Sequence, residues 1–179
     1  MSRNWRISSF SGALLAAYFI PTWTTIALRI MISPIQGLYE RPNVSMGLFA
    51  SDHLHLAAVT TVRFAWLLAL GRLTVVAFFA MFLVFMTRAS IRKTGGCGET
   101  LGMALAVGSA ISFASMVMAS QVGEPEALRL HATELLMLLG TAIVLLVERP
   151  VESRTNVTSR ELSLQQSQLP IMADASLTA

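Results

Sequence analysis

Long runs of apolar residues, separated by short polar segments, dominate this chain of 179 residues. The four longest runs cover roughly residues 10–32, 66–87, 100–120 and 128–147. Each is close to the ~20 residues that an α-helix needs to cross the ~30 Å hydrocarbon core of a bilayer. Strands of a membrane β-barrel would instead be short segments of alternating polarity. The pattern therefore predicts an all-α integral membrane protein, with four transmembrane helices in an antiparallel bundle.

The polar segments divide the chain into one membrane domain and a tail. Residues 1–150 are predicted to form the four-helix transmembrane domain, with residues 33–65 as an extracytoplasmic loop. Ser51 or Asp52, both favourable N-cap residues, is expected to begin a long second helix. Residues 151–179 are rich in Ser, Thr and Gln, so they are predicted to be a disordered cytoplasmic tail. Little chain then remains for a soluble catalytic domain.

The positions of the basic residues predict the orientation of the helices. Cationic side chains form three clusters at the ends of the apolar runs, namely Arg3 and Arg6, then Arg88, Arg92 and Lys93, and then Arg149, Arg154 and Arg160. The segment between the last two apolar runs contains Glu124 and Glu126 and no basic residue. Because cytoplasmic loops of membrane proteins are enriched in Lys and Arg, both termini are predicted to be cytoplasmic.

Composition places the chain in a membrane and limits its partners. Hydrophobic residues make up 54% of the sequence and charged residues 13%, which is too apolar for a soluble domain of this length. The formal net charge of +3 follows the ends of the apolar runs and forms no nucleic-acid-binding stripe. We therefore expect a multi-pass protein of the bacterial cytoplasmic (inner) membrane. Its expected partners are the lipid bilayer and other membrane subunits, and no nucleic acid.

Ionisable residues within and beside the apolar runs are candidate functional residues, because charged groups at membrane depth are costly. The predicted intramembrane polar cluster consists of Arg29, Arg72, Arg129, His131 and Glu134. Arg72 and Glu134 lie about 24 Å and about 21 Å from the cytoplasmic ends of their helices, at a rise of ~1.5 Å per residue. His131 lies one turn from Glu134 on the same helix face. The cluster either fixes the register of the helices through ion pairs or has a functional role, such as a path for protons or solutes.

Two rows of residues at helical spacing are predicted to face other helices. The first is a polar stripe on the first helix, formed by Ser11, Tyr18, Thr22, Thr25 and Arg29. The second is a row of small residues on the third helix, formed by Ala104, Gly108, Ser112, Ser115 and Ala119. Small and hydroxyl-bearing residues allow membrane helices to approach closely and to form hydrogen bonds between them.

The sequence carries no catalytic, nucleotide-binding or metal-binding signature, which favours a non-enzymatic accessory, assembly or interaction subunit without a cofactor. One alternative is a redox subunit that binds haem or a quinone near His131. Another is a small proton or solute transporter that uses Arg72 and Glu134. His53 and His55 are weak candidates for metal ligands, because on a helix their imidazoles would diverge by about 200°.

Overall fold

A computed structural model of the protein describes residues 7–55, 57–88 and 96–148. Across these residues the structure is helical and contains no strand, and four helices are long and apolar enough to cross a membrane. The predicted all-α class and its four candidate spans are therefore confirmed. The predicted tail at residues 151–179 lies outside the described residues. So do all of the basic residues used to predict the orientation except Arg88.

The described part of the chain contains four long helices and two short ones. They are α1 (Ile7–Ile32), α2 (Pro34–Leu38), α3 (Val44–Asp52), α4 (Ala58–Thr87), α5 (Gly96–Val122) and α6 (Pro125–Glu148). The long helices begin before the predicted apolar runs, because helical hydrogen bonding continues through more polar residues. All contacts described below lie in the compact unit that ends at Ile143.

The buried face of α1 differs from the predicted polar stripe. Its large buried side chains are those of Leu15, Phe19, Trp23 and Ile30. Tyr18, Thr25 and Arg29 are exposed, so the prediction that the stripe faces other helices is wrong. The Thr25 hydroxyl donates to the Pro21 carbonyl oxygen of its own helix at 2.8 Å, and therefore needs no partner on another helix.

The connection between α1 and α4 contains two short helices, α2 and α3. Ser51 and Asp52 end α3, and α4 begins only at Ala58, so the prediction that either residue starts the second long helix is wrong. The physical reason is burial. Met46 and Ala50 are buried in α3, and α3 packs against α5. This packing extends the helix through residues that would favour a helix start when judged locally.

A close approach between α1 and α2 fixes the path of this connection. A Cβ atom at Gly37 would lie 2.7 Å from the Cα atom of Ile30, so only glycine fits against the α1 backbone. The side-chain amide of Asn43 then donates to the Gly37 carbonyl oxygen at 2.8 Å. These two contacts hold the segment that includes Pro42 beside the bundle.

Aromatic and small residues form the core between the long helices. The rings of Phe19 on α1 and Phe79 on α4 stack with centroids 5.8 Å apart. A Cβ atom at Gly108 on α5 would lie 3.4 Å from Leu138 and 3.6 Å from Val75, so α5 lies close to both α6 and α4. All five residues of the small-residue row are buried, namely Ala104, Gly108, Ser112, Ser115 and Ala119.

Candidate functional site

A buried carboxylate lies at the centre of the candidate site. Glu134 on α6 is only 4% exposed. Its Oε1 accepts a hydrogen bond from the indole Nε1 of Trp23 on α1 at 3.2 Å. Its Oε2 lies 3.1 Å from Nδ1 of His131, one turn earlier on α6. A buried carboxylate needs such partners, because leaving it without them in an apolar interior is costly.

His131 connects this carboxylate to the connection between α1 and α4. Its Nε2 lies 3.2 Å from the carbonyl oxygen of Pro42. Because that oxygen can only accept, Nε2 carries a proton when this contact is a hydrogen bond. A second proton lies between Nδ1 and the Glu134 carboxylate, whichever of the two groups holds it. The histidine and glutamate together are then net neutral, which suits their apolar surroundings.

Arg72 on α4 approaches the same site over the ring of Trp23. Its Cζ atom lies 5.8 Å from the centroid of the Trp23 ring, within the range of a cation–π interaction. Glu134 is close enough to act electrostatically on the Arg72 charge. The Nε and Nη1 atoms of Arg72 donate to no acceptor among the described residues. Trp23 therefore mediates between the two charged groups through its ring face and its N–H group.

The structure brings together three of the five residues of the predicted polar cluster, Arg72, His131 and Glu134, and leaves two outside. Arg29 donates two hydrogen bonds to the Glu40 carboxylate, at 3.0 and 3.1 Å, on the exposed end of α1. Arg129 is exposed on α6. The sequence shows that Arg29 and Arg129 are polar and near the same end of the bundle. Helical spacing does not show the direction of their side chains.

The two weak metal-ligand candidates lie outside the cluster. His53 follows the end of α3 and stacks on Phe49 with ring centroids 4.9 Å apart. His55 is exposed in the following linker and has a positive φ of 46°. Within the described residues, no group of three or more His, Cys, Asp or Glu side chains is placed to hold a metal ion.

A haem iron would have to compete with existing contacts of His131. Both of its ring nitrogens face acceptors, and the residue is only 2% exposed. Ligation would break either the contact with Glu134 or the contact with Pro42, and a ligating histidine normally keeps an oriented partner on its second nitrogen.

A cavity of about 490 Å³ reaches the buried carboxylate from the side of the bundle. It lies between α1, the 39–44 segment and the first half of α6. Its lining residues are Tyr18, Thr22, Ile26, Tyr39, Arg41, Pro42, Val44, Glu124, Glu126, Ala127, Leu130 and Glu134. Its volume is typical of small-molecule sites, which combine apolar walls with a few polar groups.

Trp23 is the residue of the site that the sequence interpretation missed. It lies inside an apolar run and bears neither a hydroxyl nor a charge, so the pattern of polar residues does not single it out. A usable signal was present, because Phe19, Trp23, Ala27 and Ile30 recur at helical spacing and form a buried face. A buried tryptophan usually finds an acceptor for its N–H group. The acceptor, Glu134, lies 111 residues away in the sequence, so local patterns could not identify it.

Comparison with known proteins identifies no relative: no protein-family model, no curated protein and no solved structure matches this chain. A four-helix outline alone does not define a function, since the same fold hosts many unrelated activities. Function has to be inferred from the site itself and from the distribution of residues around it.

Proposed function

We propose that this protein is a non-enzymatic accessory, assembly or interaction subunit of a complex in the bacterial cytoplasmic membrane. One observation carries the proposal. Outside the four long helices, the described residues form only α2, α3 and short connections. This part of the chain contains no soluble domain that could house a catalytic centre. A small bundle of this kind would act through the helix faces that it presents to neighbours in the bilayer.

The contacts of the polar cluster support a structural role within such a subunit. Glu134 links α6 to α1 through Trp23, and His131 links α6 to the connection beside α2 through Pro42. Hydrogen bonds of this kind between membrane helices fix their register. Charged groups that find their partners within the bundle also need no partner in the surrounding lipid.

The proposal includes an antiparallel bundle with both termini in the cytoplasm. Only two residues separate α5 from α6, which favours opposite directions for these two helices. Arg72 and Glu134 lie beside the same indole ring. One turn further along the same helices, Val75 and Leu138 both lie beside Gly108. This register favours one common direction for α4 and α6, as expected for alternate helices of an up-and-down bundle.

Purification from native membranes tests the proposed function. The full-length chain, tagged at its C-terminus and extracted in a mild detergent, should migrate on a native gel as an assembly much larger than its 19.4 kDa. Mass spectrometry should find the same membrane proteins in constant ratio, and extracts of untagged cells provide the control. Recovery of the chain alone would overturn the proposal. A Soret band that is lost in His131→Ala would favour the haem-linked alternative instead.

A further inference from the structure

We propose that the cavity between α1 and α6 binds the head group of a membrane-soluble quinone or quinol. The site goes beyond the accessory role and does not depend on it. Tyr18 lies in the middle of α1 and is 39% exposed, whereas Glu124 lies in the turn before α6, so the cavity extends from the acidic end of the bundle to the middle of a candidate membrane span. A molecule that reaches the cavity from the bilayer meets both apolar and polar walls, so we expect the occupant to be amphipathic.

The formal charges around the cavity balance, which favours a neutral ligand over an ion. Glu134 and His131 form a net-neutral pair when both histidine contacts are hydrogen bonds. Two further carboxylates line the cavity, those of Glu124 and Glu126. Two guanidinium groups carry the same number of positive charges, that of Arg41 in the lining and that of Arg72, which lies over the Trp23 ring outside the lining. With the formal charges balanced, recognition depends on hydrogen bonds and apolar contact.

The hydrogen-bonding groups of the lining match a quinone and its reduced form. The Tyr18 hydroxyl can donate to a quinone carbonyl oxygen or accept from a quinol hydroxyl. Glu134 already accepts two contacts, but a carboxylate has further lone pairs and can accept a third from a quinol. The remaining wall includes Ile26, Val44 and Leu130, which provide apolar contact for a flat ring.

Trp23 provides a built-in reporter for this site, because its indole donates to the carboxylate that lines the cavity. The chain has three tryptophans, so the double variant Trp5→Phe, Trp66→Phe leaves Trp23 as the only tryptophan, and excitation at the long-wavelength edge of the indole band avoids the two tyrosines. In detergent, decylubiquinone should quench the Trp23 fluorescence of this background with a saturable dependence on concentration. Quenching that rises linearly without saturation would show partition into the micelle only and would overturn the proposal.

Three further variants in the same background locate the binding. Thr22→Phe places a ring in the cavity and should abolish saturable quenching, whereas Thr74→Phe, on an exposed position of α4, should leave it unchanged. Tyr18→Phe removes one hydroxyl at an exposed position and should weaken binding about three- to tenfold. If Thr22→Phe does not fold, Tyr18→Phe still decides, because unchanged affinity in that variant would overturn the proposed head-group contact.

Competition with other amphiphiles shows whether the site recognises the head group of decylubiquinone or its alkyl chain. Undecanoate and decylammonium carry the same ten-carbon alkyl chain as decylubiquinone, but have an anionic and a cationic head group. Neither should displace decylubiquinone at equal concentration when the site recognises a neutral ring. Equal displacement by either ion would overturn the assignment and identify a site for charged amphiphiles. Copurification of partner subunits is unaffected by these outcomes, so the proposed function and the quinone site can fail independently.

Discussion

At the scale of single residues, Trp23 determines how two ionisable groups coexist inside the bundle. Its indole N–H group satisfies one oxygen of Glu134, and its ring face lies against the Arg72 guanidinium. Arg72 keeps two buried N–H atoms for which the described residues offer no acceptor. An unsatisfied buried donor or acceptor costs about 1–3 kcal/mol, so every further loss at this site should be measurable.

We predict that Trp23→Phe lowers the free energy of unfolding by about 1–3 kcal/mol. The substitution keeps an aromatic ring but removes the one donor that the described residues offer to Glu134 Oε1, which leaves a buried acceptor unsatisfied. Trp66→Phe is the matched control, because Trp66 is 43% exposed on α4 and should change stability little. Thermal unfolding in detergent measures both variants, and equal stability of the two would contradict the role assigned to the indole N–H group.

We also predict that Arg72 and Glu134 are coupled although Trp23 mediates between them. Glu134→Gln should destabilise the bundle, because it removes the carboxylate that contacts His131 and acts electrostatically on the Arg72 charge. The double variant Arg72→Gln, Glu134→Gln should recover part of that loss, with a coupling free energy of about 0.5–3 kcal/mol. A double-mutant cycle in detergent or bilayer gives this value. Strictly additive effects would show that the two residues do not interact.

The residues of the site were predictable from the sequence only where they are ionisable and lie inside an apolar run. Arg72, His131 and Glu134 have that property, and the structure brings them together. Arg29 lies in the last turn of α1, where a carboxylate from the following connection, Glu40, is within reach. Its pairing depends on how the chain folds after Ser33, and neither helical spacing nor composition contains that information.

At the scale of helices, apolar length was a reliable guide to the four spans but not to the connection between the first two. A run of about 20 apolar residues has few alternatives to a membrane helix. The apolar segment at residues 44–50 is too short for that rule, and its helical form depends on burial of Met46 and Ala50 in contacts with other elements. Such tertiary contacts override local N-cap preference, which is why the start of α4 was misplaced.

The contact between α4, α5 and α6 gives a prediction on helix packing. Gly108→Ala should be tolerated, because the added Cβ atom would lie 3.4–3.6 Å from its neighbours Leu138 and Val75. Gly108→Leu should destabilise the bundle by about 1–3 kcal/mol or more, because the larger side chain overlaps both neighbours. We expect a similar loss for Ser112→Leu, since Ser112 is only 1% exposed.

Val84→Leu is the control for these packing variants. Val84 is 51% exposed on α4, so one additional methylene should meet lipid or detergent and leave stability nearly unchanged. Thermal unfolding and the yield of monodisperse protein in detergent compare the four variants. Equal tolerance of Leu at positions 84, 108 and 112 would contradict the assignment of the small-residue row as a packing interface.

At the scale of the whole molecule, the site lies near the acidic turn of the chain. Arg88 follows the end of α4, whereas the turn between α5 and α6 is acidic. The buried cluster and the cavity lie towards the end of the bundle that carries this acidic turn, because the lining of the cavity includes both Glu124 and Glu126. The orientation of the bundle in the membrane therefore determines on which side of the membrane the polar end of the cavity lies.

The last prediction tests this orientation with reporter fusions. Alkaline phosphatase is active only where its disulfides can form, so it reports an extracytoplasmic position. A fusion after Gly123, in the turn between α5 and α6, should be active. Fusions after Thr94 or within residues 151–179 should be inactive, because the positive-inside rule places these basic segments in the cytoplasm. Comparable amounts of each fusion on an immunoblot provide the control. The reverse pattern of activity would show that the bundle has the opposite orientation, with the polar end of the cavity on the cytoplasmic side.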